Sequence, residues 1–458
     1  MSKGPVPGWD RDEGRHYAPW ERAFSRVVSP FEEFIKGQTS SGLALAFTTV
    51  VALVLANSPL AEAYHHLIHT PIAVQVGAWG LEKSLLHWVN DGLMALFFFL
   101  AGLEIKREAL VGELASPRRA LLPILAAVGG MVVPAGIYAF LNLGGVGLRG
   151  WGIPMATDIA FVVGVLVLLG DRVPRSLMAF MVALAIVDDL GAVLVIALFY
   201  TAELSVTALA VAGALLALLV LFNRGGVRSP LPYFLVGGLV WLAFLKSGVH
   251  ATVAGVLVAF TIPARPRYQP PRFSRAVRSA LDEFDAVHRP GEDVLRNQRQ
   301  FSLLQALETG IHGVQTPLQR LEHAFQIPVG VLVMPVFALV NAGIGISLTQ
   351  LGALLSHPIA LGTGLGLIVG KFIGITGSVF LAVRLGLAQL PTGAGARHMV
   401  AAGLLGGIGF TMSIFIADLA FAGMARELLM AKTGIILASA VAGLGAALLL
   451  AWPARGAD

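Results

Sequence analysis

Long apolar runs separated by short polar turns occupy most of the chain. Spanning a bilayer by helix takes about 20 mainly apolar residues. On that criterion twelve runs qualify, near 40–57, 84–104, 120–141, 151–170, 174–200, 205–222, 230–245, 247–263, 326–346, 358–383, 398–418 and 427–452. The seventh and eighth are short and meet at "FLKSGVHATVAG", so eleven is the alternative count. Two connections differ from the rest. Residues 58–83 include "TPIAVQVGAWG", where Ile72, Val74 and Val76 alternate as in a strand, which predicts a small hairpin. Residues 264–324 open with the proline-rich linker "PARPRYQPPR". Within them "VLRNQRQFSLLQALETG" reads either as a surface helix or as a solvated loop. Near the N-terminus "WERAFSRVVSPFEEFI" is amphipathic and predicts a helix on the membrane surface. The organisation is therefore an N-terminal segment 1–36, spans one to eight over 37–263, an insert 264–324, spans nine to twelve over 325–452 and a tail 453–458.

Composition supports this reading. The 458 residues are 56% hydrophobic and 13% charged, where a soluble domain carries roughly a quarter charged residues. The expected class is an all-α polytopic membrane protein. An even span count puts both termini on one side, and charge decides which. With the N-terminus cytoplasmic, cytoplasmic segments hold 26 of the 32 Lys+Arg, and the opposite loops only Lys83, Arg149, Lys246 and Arg426. The positive-inside rule therefore predicts cytoplasmic termini. The first 36 residues lack the apolar core of a signal peptide. No cysteine is present, which excludes disulfides, thiolate zinc sites and cysteine catalysis. No basic, aromatic-interleaved face points to nucleic acid.

The ionisable residues inside the runs carry the chemistry. They are Asp91, Asp158, Asp188, Asp189, Lys371, Asp418 and Lys432, with Glu104 and His250 near ends. Each costs roughly 2.5–3.5 kcal/mol near the bilayer centre on insertion scales, so such groups face an interior or a pathway. Asp91, Asp418 and Lys432 read as structural ion pairs or snorkelling ends. The pair in "ALAIVDDLGAVLVIALFY" does not, because adjacent carboxylates stand about 100° apart on a helix and one lysine cannot readily satisfy both. Two close carboxylates resist double ionisation and titrate as one coupled unit. Hard cations such as sodium prefer oxygen ligands. Protons and a small cation can then compete for Asp188 and Asp189, the minimum device for exchange.

Backbone breakers give a second clue. The fourth run, "WGIPMATDIAFVVG", places Pro154 just before Thr157 and Asp158. The eleventh, "GLLGGIGFTMSIF", places Gly406, Gly407 and Gly409 just before Thr411 and Ser413. Paired interrupted helices point to a transporter's midplane site. There Asp158 can compensate two positive helix N-termini, and Lys371 two negative C-termini. Around Lys371, Gly366, Gly370, Gly374 and Ser378 form a small-residue seam for close helix approach.

These residues resemble the NhaA-type sodium/proton antiporters. The resemblance rests on "GWGIPMATDIAFVVGVLVLLGDRVP", "FMVALAIVDDLGAVLVIALFYT", "LKSGVHATVAGV", "LGLIVGKFIGI", "GGIGFTMSIFIADLAF" and "VNDGLMALFFFLAGLEIKREAL", and covers roughly 30–262 and 317–450. It implies twelve transmembrane helices in inverted-topology repeats with two broken, crossing helices; that architecture is the family's, carried over and not read from spacing. It implies a bacterial inner-membrane protein exchanging Na+ or Li+ for H+ electrogenically under pH control, without a cofactor. Asp188 and Asp189 match the ion- and proton-binding pair. Thr157 and Asp158 match the crossing. Lys371 matches the lysine that balances helix ends and pairs with the first aspartate. Glu104, Arg107, Glu322 and His323 match the cytoplasmic cluster linked to pH activation, His250 a histidine of the pH response, and the 58–83 hairpin the homodimer contact. The sequence departs from the family in its long 264–316 segment. It departs again after "RLEH", where "AFQIPVGVLVMP" lacks a second histidine common there.

Other classes fit less well. An intramembrane aspartyl protease needs its aspartates on different helices. A cation channel without obligatory proton coupling is the alternative, but channels favour rings or carbonyl filters. "HHLIH" lacks the glutamate of a zinc-protease motif, and "GLLGGIGF" lacks the strand context of a dinucleotide fingerprint.

Overall fold

The computed structural model describes residues 38–77, 79–201, 204–287, 297–345 and 348–452. The surface helix expected within 1–36 and the tail 453–458 lie outside the described residues. The chain opens with α1 (Gln38–Ala56), which turns through 115° into α2 (Ala61–His69). A two-stranded antiparallel hairpin follows, β1 (Pro71–Val76) with β2 (Trp79–Ser84), in the register Ile72↔Lys83 and Val74↔Leu81. Its turn uses Gly77 at φ +61°, a left-handed conformation that glycine adopts without strain.

The bundle consists of α3 (Met94–Val111), α4 (Pro117–Leu141), α5 (Ile159–Leu169), α6 (Arg175–Phe199), α7 (Val206–Arg224), α8 (Pro230–Leu245) and α9 (Thr252–Thr261). After the insert helices α10 (Pro270–Ala286) and α11 (Gln298–Val314) come α12 (Pro317–Pro328), α13 (Met334–Asn341) and α14 (Leu348–Ser356). The chain ends with α15 (Pro358–Leu365), α16 (Lys371–Arg384), α17 (Ala396–Leu405), α18 (Phe410–Ala420) and α19 (Ala425–Ala451). Turns of π-helix at Trp88–Leu93, Val329–Val333 and Gly366–Gly370 join otherwise continuous helices.

Among the described residues nine helical segments are long and apolar enough to cross a membrane, and the α1–α2 pair adds a tenth candidate. That is fewer than the twelve expected. The shortfall falls on the seventh and eighth runs, whose helices α8 and α9 have 16 and 10 residues. At 1.5 Å per residue they are about 24 and 15 Å long, shorter than a hydrocarbon core of about 30 Å.

The insert also differs from expectation. "PARPRYQPPR" is only partly linker, because Pro270 and Pro271 occupy the first turn of α10, where proline's missing N–H costs nothing. The "QRQFSLLQALETG" stretch is helical. Glu322 and His323, assigned to the insert, ride on α12, which begins at a Thr316–Gln319 capping box.

The small-residue seam packs on α4 and on the segment that precedes α5. A Cβ at Gly370 would meet Pro134 Cα at 2.6 Å, one at Gly366 would meet Pro154 Cβ at 2.7 Å, and one at Gly374 would run into the Gly129 carbonyl. The close approach carries Lys371 into the interior against α4 and α6.

Candidate ion-binding site

The two interrupted helices meet in the middle of the bundle. Ten residues of 3₁₀ helix, Val146–Met155, precede an extended Ala156–Asp158, and only then does α5 begin. Pro154 lies at this break. Opposite, α17 stops at Leu405 and Gly406–Gly409 lead into α18. A Cβ at Gly407 would strike the Leu367 carbonyl, and one at Gly409 would lie 3.0 Å from the Ala156 carbonyl. Only glycine allows these close backbone approaches.

Asp158 satisfies both helix starts. Its Oδ1 accepts from Phe161 N at 3.1 Å, capping α5. Its Oδ2 accepts from Thr411 N at 3.0 Å and Thr411 Oγ1 at 2.5 Å, capping α18. A carboxylate here meets the partial positive charge of two helix N-termini. The Asp158 N–H donates to the Ile408 carbonyl at 2.7 Å, and Ser413 Oγ to the Ile153 carbonyl at 2.8 Å.

Beside the crossing, Lys371 Nζ lies 2.5 Å from Asp188 Oδ2 and 3.0 Å from Thr157 Oγ1. Thr157 Oγ1 is 2.7 Å from the same Asp188 oxygen and 3.0 Å from the Gly406 carbonyl. A hydroxyl has one proton, so Thr157 accepts from Lys371 and donates to one of these two oxygens. Lys371 thus reaches the C-terminal end of α17 through Thr157, and among the described residues it makes no hydrogen bond to a helix-end carbonyl itself. Relative exposures are 0% for Lys371, 1% for Asp188 and 4% for Asp189, so this charge pair is fully desolvated. Asp188 Oδ1 and Asp189 Oδ1 are buried with no hydrogen-bond partner among the described residues. An undonated oxygen on each of two neighbouring carboxyl groups suits a transient hard cation.

The remaining expected site residues divide into two groups. Arg107 Nε lies 2.9 Å from Glu322 Oε1, joining α3 to α12. Glu104 lies within electrostatic reach of Arg107 and Glu322 and also of Asp189, linking this cluster to the carboxylate pair. His323 is exposed at the cluster's edge. His250 belongs elsewhere: its Nε2 lies 3.5 Å from Asp91 Oδ1 and its Nδ1 is 2.8 Å from Thr252 Oγ1. These two residues line a cavity of about 1230 Å³ with Lys83 and Arg149. Asp418 and Lys432 pair at 2.8 Å, as the structural reading expects.

Two contributors escaped the sequence reading. Glu108 is buried, pairs with Arg107 at 3.1 Å and accepts from Glu113 N. Lys106 donates to the Phe260 and Ile262 carbonyls at 2.6 and 2.5 Å, placing positive charge at the C-terminus of α9. The only sequence signal was their place in the charged run "EIKRE".

Residues 32–450 match the family model described as Na+/H+ antiporter 1. The chain is 55% identical over 432 residues to a Saccharophagus degradans protein named Na(+)/H(+) antiporter NhaA 1, covering 94% of this chain and 93% of that protein. It is 52% identical to the Na(+)/H(+) antiporter NhaA of Sulfurimonas denitrificans, over 96% and 99% of the two chains. A Dichelobacter nodosus protein of the same name is 48% identical, over 93% and 91%.

Proposed function

The chain belongs to the Na+/H+ antiporter 1 family, and from that premise we propose that it exchanges Na+ or Li+ for H+ at Asp188 and Asp189 by alternating access. The carrying observation is the Lys371–Asp188 contact beside a second carboxylate with an undonated oxygen. In the proton-loaded state Asp189 holds a proton and Lys371 neutralises Asp188. An entering cation takes oxygens of both aspartates and the Thr157 hydroxyl. Asp189 then gives up its proton, and Lys371, losing its carboxylate to the cation, gives up one of its own. More than one proton moves per cation, so exchange is electrogenic. The proton-loaded site is neutral and the cation-loaded site carries one negative charge; the empty, doubly charged state is too costly to reorient.

We read the fold as twelve spans in two inverted repeats, with α8 and α9 as shortened crossings. Both termini face the cytoplasm of a bacterial inner membrane. Glu104, Arg107, Glu322 and His323, with His250 on the far side, form the pH response, and the β1–β2 hairpin is the homodimer contact. The partners are Na+ or Li+, H+ and lipid; no resident cofactor is required.

The test is reconstitution in liposomes containing a pH dye. Adding Na+ or Li+ should move protons, adding K+ or choline should not, and a membrane potential should change the rate. Sodium entry without proton movement would establish the channel alternative instead.

A further inference from the structure

Between α9 and α12 the insert folds into a helical hairpin. At its base the Arg267 and Tyr268 N–H groups both donate to the Gly313 carbonyl, at 2.8 and 3.0 Å, and Leu318 N donates to the Pro263 carbonyl. At its far end Arg299 Nε bonds Glu283 Oε1 at 2.7 Å, Gln300 Nε2 the Phe284 carbonyl and Asn297 Nδ2 the Val287 carbonyl. Phe273 packs against Gly310 between the helices. This is a built unit tethered at the end of α9.

Its outer surface combines two features. From Ala264 to Leu281 the chain carries five arginines and no acidic residue. Arg265, Arg267, Arg272, Arg275 and Arg278 are all exposed, and none is salt-bridged to a described carboxylate. Along α11, Phe301, Leu304 and Ile311 share a helical face and are 45%, 42% and 49% exposed; Glu308, 3.9 Å from His312, shares that face. Exposed apolar residues on one helix of the hairpin and exposed arginines on the other match a surface that is negative outside and apolar beneath. A cluster of four to eight basic residues just cytoplasmic of a membrane helix is attracted to anionic headgroups.

We propose that the α10–α11 hairpin docks on the cytoplasmic leaflet, its arginines binding anionic lipid headgroups while Phe301, Leu304 and Ile311 enter the interface. The inference rests on the cytoplasmic placement of the insert proposed above.

The chain has no cysteine, so Leu304→Cys, and independently Ile311→Cys, can each carry a single fluorophore. The labelled full chain is reconstituted in phosphatidylcholine alone and with increasing phosphatidylglycerol. Quenching by a lipid-borne quencher should rise with anionic lipid and fall in high salt. Replacing Arg272, Arg275 and Arg278 by Gln should lower the docked-to-free ratio by about fivefold per arginine. The composition and salt arms use unaltered arginines, so they stand if that variant fails to fold. Equal quenching in neutral and anionic membranes overturns the proposal. A probe shielded from water- and lipid-borne quenchers alike overturns it too, because protein would then cover that face. In intact cells, labelling of the cysteine by an impermeant reagent added outside would instead sink the topology.

Discussion

Lys371 has no contact with water and sits on the one carboxyl oxygen that Thr157 also contacts. Lys371→Ala leaves Asp188 without its cation, and breaking a buried pair costs about 3–5 kcal/mol. Thermal unfolding in detergent should show a clearly lower midpoint, with transport lost; an unchanged midpoint would mean that the lysine is solvated. Asp189→Asn should behave differently. No described group donates to Asp189 Oδ1, so the amide leaves packing intact but cannot cycle a proton. Sodium-coupled proton flux should vanish while the melting midpoint stays near that of the parent. The same competition fixes a sign for pH. Protons and sodium claim the same oxygens, so lowering pH loads the protons and displaces sodium. At fixed sodium, exchange should strengthen from acid to alkaline pH, and a steady rise toward acid would contradict it. At this scale the sequence was informative where a charge interrupts an apolar run, as at Asp158, Asp188 and Lys371. It was silent where a charge sits among charges. Nothing local told Lys106 from its neighbours, because its acceptors lie 154 and 156 residues away.

The crossing depends on a single side chain closing two helix starts. Asp158→Ala removes the acceptor for Phe161 N, Thr411 N and Thr411 Oγ1 together. Losing one cap costs about 1 kcal/mol, and a buried hydroxyl left unpaired costs about 1–3 kcal/mol more. With two caps lost, a total of about 3–5 kcal/mol is expected in unfolding experiments. Asp158→Asn should fall between, since its amide oxygen can cap one helix but its NH2 cannot accept from the other. Equal stability of all three proteins would show that the ends are satisfied otherwise. The breaks themselves were legible, because Pro154 and the glycines at 406, 407 and 409 interrupt apolar runs in matching places. The π-turns were not: "GLIVG" and "VGVLV" read as ordinary helix, and tertiary packing selects the wider turn. The start of α10 was hidden for the opposite reason, since prolines suggest a linker but also open helices.

Taken as a whole, the molecule keeps its ion site and its insert apart. Arg267 N is hydrogen-bonded to the Gly313 carbonyl, so removing residues 268–312 joins two points already in contact. Loop closure changes by only about 0.6 kcal/mol per doubling of length. Sodium-coupled proton flux in vesicles should stay near the parent's maximum, at a displaced pH or with altered lipid dependence. A folded, inserted deletion variant with no flux would put the insert in the ion pathway. The bundle's membrane character was plain from apolar runs alone. The bounds of α8 were plain too, since the run 230–245 is the helix Pro230–Leu245; those of α9 were not, because "SGVHA" reads as part of the run while its backbone turns.

The Lys371–Asp188 contact joins residues 183 positions apart. At a ribosomal pace of about 5–20 residues per second, Asp188 is synthesised roughly 10–40 seconds before its partner exists. During that interval the nascent α6 presents two carboxyl groups to the insertion machinery with no lysine to answer them. Thr157, made earlier, is the one member of the finished cluster already available. Biogenesis therefore has an order built into it: the early helices must be held in a sheltered, provisional arrangement until α16 arrives. The centre of this protein is completed late, and a nascent chain released before that point carries its most costly charges unpaired into the bilayer.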